Sequence, residues 1–161
     1  TVTLQTAIFL AVDRFNSDDD RSIFELAVST AASLANWLLN QRQPVGVFVN
    51  GVQADAAGPI VIGPGRGDDQ FRNILESLAR LRRRSAMPFP EFVHARAGAI
   101  HGRTTLCVIA ARLTDADLDA LAQLRRRGCG VLALIVGPGP MPEERIPCRR
   151  IDGTQLGDLH S

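Results

Sequence analysis

Four carboxylates fall within eight positions at the end of one apolar run. "AIFLAVDRFNSDDD", residues 7 to 20, closes on Asp13, Asp18, Asp19 and Asp20, with the hydroxyl of Ser17 among them. Hard divalent cations are held by oxygen ligands of this kind. In a parallel sheet the carboxyl ends of the strands gather the ligand-binding loops. The cluster therefore reads as a metal site, the trace of one, or a solvated loop that also charges the start of the next helix.

Other candidate chemistries are weaker. "GPGRGDD" (63 to 69) is a glycine-rich turn into a helix N-terminus, where backbone amides could hold an anion. It has no Gly-Lys-Ser/Thr ending, and the chain has no lysine to reach a phosphate. Asp68 and Asp69 already occupy the positive end of the helix dipole, so a structural turn is expected. His94, His101 and His160 stand near no recognisable nucleophile, and there is no G-x-S-x-G elbow. Cys107, in an apolar run, is expected to be an inert core thiol, and Cys129, between two glycines, a more exposed one. No catalytic residue is expected.

These residues must be positioned by strands and helices that the hydrophobic pattern delimits. Val2 to Val12 reads as a buried central strand, followed by a helix with Ser22 and Glu25 as a capping box, running to about Arg42 before Pro44. "PVGVFVNG" (44 to 51) and "PIVIGPG" (59 to 65) are two further strands, expected to be antiparallel neighbours. Asp68 opens a helix with Phe71, Ile74, Leu75, Leu78 and Leu81 on one face. It is expected to end in Arg82, Arg83 and Arg84, whose charge would complement the dipole. Residues 85 to 102 read as a loop and a short helix, and "TTLCVIAA" (104 to 111) as a buried strand. Thr114 caps a helix with Leu118, Leu121 and Leu124 inward and Gly128 at its C′ position. Strands at 131 to 137 and 145 to 151 complete the set, the last an edge. Alternation of strands and helices predicts an α/β fold, a mostly parallel, doubly wound, six-stranded sheet.

Composition bounds the function. The 161 residues are 45% hydrophobic and 22% charged, ordinary for one globular domain. Eighteen basic residues, all arginine, against 17 acidic leave a net charge of +1, which gives no bulk pull toward nucleic acid or an anionic membrane. Three cysteines without metal-ligand spacing fit a reducing cytosol. No run is expected to reach the roughly 18 to 20 apolar residues of a membrane span. Thr1 falls inside a strand-like run, so residues 1–161 read as one domain of a longer chain, whose membrane anchor would lie upstream.

The series "ELAVSTAASLANWLLNQRQPVGVFVNG", "IGPGRGDDQFRNILESLARL" and "TTLCVIAARLTDADLDALAQLRRRGCGVLALIVG" resembles the C-terminal region of the bacterial family called domain of unknown function 58, itself similar to von Willebrand factor A domains. The resemblance spans residues 7 to 137. It implies a three-layer fold with one antiparallel edge strand, and an adaptor role beside MoxR-type AAA+ ATPases without catalysis or cofactor. In the von Willebrand relatives the first strand ends in D-x-S-x-S, whose Asp and hydroxyls bind a divalent cation, with a Thr and an Asp from later loops. Here the motif aligns as Asp13, Phe15, Ser17 or as Ala11, Asp13, Phe15, and the later strand ends in Ala110, Ala111 and Arg112. Both alignments are broken, so a degenerate site holding no metal is expected, with Arg112 in a position to replace the cation's charge.

The expected partner surface is the rim formed by Asp13, Arg14, Ser17, Asn50, Arg66 and Arg112. The alternatives are a small hydrolase or phosphate-binding enzyme built on the acidic loop, and a structural homodimer.

Overall fold

The computed structural model describes residues 4–15, 17, 20–56 and 58–152. The first apolar run forms β1 (Gln5–Leu10) and ends in a 3-10 turn (Val12–Arg14). Then follow α1 (Arg21–Asn40), β2 (Val45–Val49), β3 (Gly51–Gln53), β4 (Ile60–Gly65) and α2 (Asp68–Ala79). The chain continues through β5 (Leu81–Ser85), α3 (Phe89–Ala97), β6 (Thr104–Ala110), α4 (Asp115–Arg126), β7 (Gly130–Val136) and β8 (Cys148–Ile151). Asp18, Asp19 and His160 lie outside the described residues.

Six strands form one sheet in the order β4-β2-β1-β6-β7-β8. All neighbours are parallel except β4, which runs antiparallel to β2 at one edge, as the sequence predicts. β1 is the point where strand order reverses: β2 pairs on one side of it and β6 on the other. Ligand crevices in open α/β sheets form at such a point.

Period-two alternation divides the buried strands between two cores. Ile8, Leu10, Val47 and Ile109 face one core, under α1 and α2. Ala7, Phe9, Phe48, Leu106 and Val108 face the other, under α3 and α4. Phe9 anchors the second, stacked on Phe48 at 5.0 Å and edge-on to Phe89 and Phe92. On α1, Ala27, Ala31 and Ala35 are fully buried at four-residue spacing, which lets the helix lie close to the sheet. With a mean hydropathy of 1.3, α1 is long and apolar enough to cross a membrane by length and composition, against the sequence expectation. Its Ala27, Ala31, Ala35 and Leu38 belong to the core.

Other expectations are corrected. The run Arg82 to Arg84 is not the end of a helix: α2 stops at Ala79 with Arg80 as its C-cap, and the arginines form β5. β5 pairs antiparallel with β3 in a separate two-stranded ribbon. Leu81 packs over Gly51, where a Cβ would lie 2.7 Å from its Cδ1, so the glycine makes room for the ribbon. The N-cap of α1 is Asp20, not Ser22, and the Asp20 carboxylate accepts from the Ser17 amide at 3.1 Å. Phe71 is only partly buried and Leu75 is 40% exposed, so the α2 stripe narrows to Ile74 and Leu78. Cys129 is buried and its thiol approaches the His101 carbonyl at 3.6 Å. Gly128 takes the positive φ expected of it after α4.

Candidate functional site

The loops after β1, β2 and β6 meet above the reversal point and carry an interlocked set of polar side chains. Asn50, directly after β2, is fully buried. Its Oδ1 accepts from the Val12 amide at 2.7 Å, and its Nδ2 donates to Asp13 Oδ1 at 2.9 Å and to the Met87 carbonyl at 3.0 Å. Asp13 Oδ2 accepts the backbone N–H of Phe89, the first residue of α3, at 3.0 Å. A carboxylate there satisfies an orphan amide and complements the helix dipole. One amide and one carboxylate thus fix β1, β2 and α3 relative to each other.

Arg14 turns the other way. Its Nε donates to Asp117 Oδ2 at 2.8 Å and its Nη2 to Asp117 Oδ1 at 2.9 Å, a bidentate fork onto a carboxylate with no exposure. Asp117 also closes a capping box on α4: its Oδ2 accepts from the Thr114 amide at 2.9 Å, and its own amide donates to Thr114 Oγ1 at 3.2 Å. The hydrogen bond to Asp117 raises the Arg14 pKa above its ordinary value, against the opposing effect of burial, with the charges of Asp117 and Asp13 adding to the rise.

Two further arginines clamp the loop between β1 and α1. Arg112 Nη1 donates to the Arg14 carbonyl at 3.2 Å, and its Nη2 lies 3.6 Å from Asp20 Oδ1. Arg83 Nη1 donates to the carbonyls of Phe15, at 3.1 Å, and Ser17. Burial is the largest single influence on Asp20 and opposes its ionisation. Hydrogen bonds from Ser17, with the charges of Arg112 and Arg83, outweigh it and hold the carboxyl below its ordinary value.

Of the six sequence-predicted rim residues, the structure brings Asp13, Arg14, Ser17, Asn50 and Arg112 together. Asn50 reaches no surface, however; it positions Asp13. Arg66 stands apart, because β4 is antiparallel and Gly65 pairs with Val45, which puts Arg66 at the opposite end of the sheet. Phe15, the apolar residue in the hydroxyl pattern, is fully buried with its ring 5.5 Å from that of Phe24 on α1. The pairing of Asp117 with Arg14 was missed at the level of sequence. Sequence reasoning also read Arg83 as a helix-end cation. The T-x-x-D spacing of Thr114 and Asp117 was the available signal for the capping box.

Among the described residues, the donor set around Asp13 and Asp117 does not suit a divalent cation. The carboxylate oxygens of Asp13 and Asp117 all accept N–H donors, a guanidinium lies against both groups, and Phe15 points into the core. Among the described residues no three His, Cys, Asp or Glu side chains are grouped to hold a metal ion.

No family model and no curated protein matches the chain. Solved structures do. The SpRpn10 VWA domain superposes with a TM-score of 0.61 at 12% identity, covering 99% of this chain and 94% of that one. A von Willebrand factor type A protein from Catenulispora acidiphila gives 0.58 at 16%, over 99% and 42%. The fold is that of a von Willebrand factor A domain. The pilus adhesin SpaC from Lactobacillus rhamnosus GG contains a similar domain, with a TM-score of 0.62 at 11% identity over 99% of this chain and 29% of the adhesin. The chain thus spans nearly all of the first of these structures and less than half of the other two. In this von Willebrand A-like fold the polar network described above sits at the carboxyl end of β1 and β6.

Proposed function

We propose that the chain is a noncatalytic protein-interaction module whose docking surface is the rim around Arg14, Ser17 and Arg112, a degenerate form of the metal-dependent adhesion site. Domains of this fold commonly serve protein interaction, and one of the similar structures is an adhesin. The observation that carries the reading is the state of the rim: Asp13, Asn50, Arg14 and Asp117 bond to one another or to backbone, and Arg112 and Ser17 stand at the surface above them. A hydrolytic site needs a carboxylate or nucleophile free to meet substrate, whereas these carboxylates hold loops together. One surface cleft lies away from the rim, between α1 and α2 beside Phe24, Val28 and Leu78.

The proposed partner is a MoxR-type AAA+ ATPase, on the strength of the family resemblance, and the proposed location is the cytosolic side. Wild-type and Arg112→Glu chains used as baits in native-host extract test both partner and surface. An ATPase enriched by wild type and lost with Arg112→Glu is expected. Equal recovery by both baits would remove the rim from the interface, and recovery by neither would remove the ATPase.

A further inference from the structure

We infer that the Arg14 guanidinium is a built-in cation seated between the loops after β1 and β6, and that this rim is held in its docking shape without a divalent ion. The seat is defined by two carboxylates from opposite sides of the strand-order reversal. Asp13 follows β1; Asp117 stands in the first turn of α4, after β6. Arg14 forks onto Asp117 at 2.8 and 2.9 Å, and its Nη2 lies 3.8 Å from Asp13 Oδ2. One positive charge therefore lies between the two negative ones.

The hydrogen-bond pattern explains why a metal does not compete. Asp117 Oδ2 accepts both Arg14 Nε and the Thr114 amide, while Asp13 Oδ1 and Oδ2 accept Asn50 Nδ2 and the Phe89 amide. A cation entering here would have to displace the Arg14 guanidinium from both oxygens of Asp117. Arginine stays charged at every pH the fold survives, and its planar fork matches a carboxylate. The Arg14 carbonyl is itself held by Arg112, so the backbone that carries the charge is tied to the end of β6. The charge is covalent and permanent, and the rim forms when the chain folds.

The consequence for docking rests on the interaction reading above; the cation seat does not. Thermal unfolding of the full chain in EDTA and in millimolar manganese tests the seat directly. Wild type and Arg14→Lys, which keeps a positive charge at the seat, should each melt at a temperature that manganese does not change. Arg14→Ala leaves Asp13 and Asp117 without their shared cation and should melt roughly 5–10 °C lower in EDTA. Manganese should return at least half of that loss, and Arg14→Ala/Asp117→Asn should show no return. A folded Arg14→Ala chain indifferent to manganese would overturn the proposal. Should Arg14→Ala fail to fold, manganese EPR on wild type decides: an unchanged free-ion signal supports the seat, and a saturable loss abolished by Asp13→Asn overturns it. Failure of the interaction reading would appear separately, as no captured partner with these melting results intact.

Discussion

Arg14 and Asp117, 103 positions apart in sequence, form a bidentate ion pair that ties the turn after β1 to the first turn of α4. Asp117 has no exposure and Arg14 only 19%. Removing one partner leaves the other charge buried, which costs more than the pair contributes. Asp117→Ala should lower unfolding free energy by about 3 kcal/mol, part of it from the lost cap. Arg14→Met/Asp117→Leu should cost clearly less than the two single changes added together. Urea unfolding of the four chains measures the coupling; strictly additive effects would mean that the pair is not formed.

Asn50 is the second hub, with one acceptor and two donor bonds in a buried site. Asn50→Leu removes all three and leaves the Val12 amide and the Met87 carbonyl without it. A loss of about 2–4 kcal/mol is expected. Asn50→Asp keeps the shape but sets a second anion against Asp13, so its deficit should shrink as the solution is acidified. A deficit that does not change between neutral and acid pH would contradict this.

Asp20 gives the acid limb of stability a definite sign. Burial opposes its ionisation, but hydrogen bonds from Ser17 and the charges of Arg112 and Arg83 outweigh it and hold the folded pKa below the ordinary carboxylate value. The carboxylate therefore favours the folded state fully above that value, and the contribution is lost as pH falls below it through the folded pKa. The stability difference between wild type and Asp20→Asn should be constant at neutral pH and narrow only in acid. A difference that widened toward low pH would reverse the assignment.

The thiols should separate by environment. Burial pushes Cys107 up to about 11. Burial, opposed by Arg127, raises Cys129 as well, and Cys148 is raised by burial and by Glu143. Cys148 alone of the three is partly exposed. With iodoacetamide at pH 8, Cys148 should react first and Cys107 only on unfolding, since the thiolate is the reactive form. Rapid native labelling that survives Cys148→Ser would contradict the burial of Cys107 and Cys129.

The legible parts of this fold are those governed by local pattern. Continuous apolar runs revealed β1, β6 and β7, and Thr114 with Gly128 bounded α4. The network was not legible because its partners are distant. Nothing near Arg14 points to Asp117, and nothing near Arg83 points to the carbonyl of Phe15. Arg82 to Arg84 suit a helix end on charge alone; they form a strand because Leu81 has Gly51 to pack on and β3 to pair with. Arg66 went astray for a different reason. An antiparallel strand delivers its following loop to the other end of the sheet, so the expected orientation of residues 59 to 65 already excluded it from the rim.

Calorimetric titration of the wild-type chain with magnesium and manganese tests the self-contained rim most directly. The account predicts no saturable heat with either ion. A micromolar site that disappears in Asp13→Ala would contradict it.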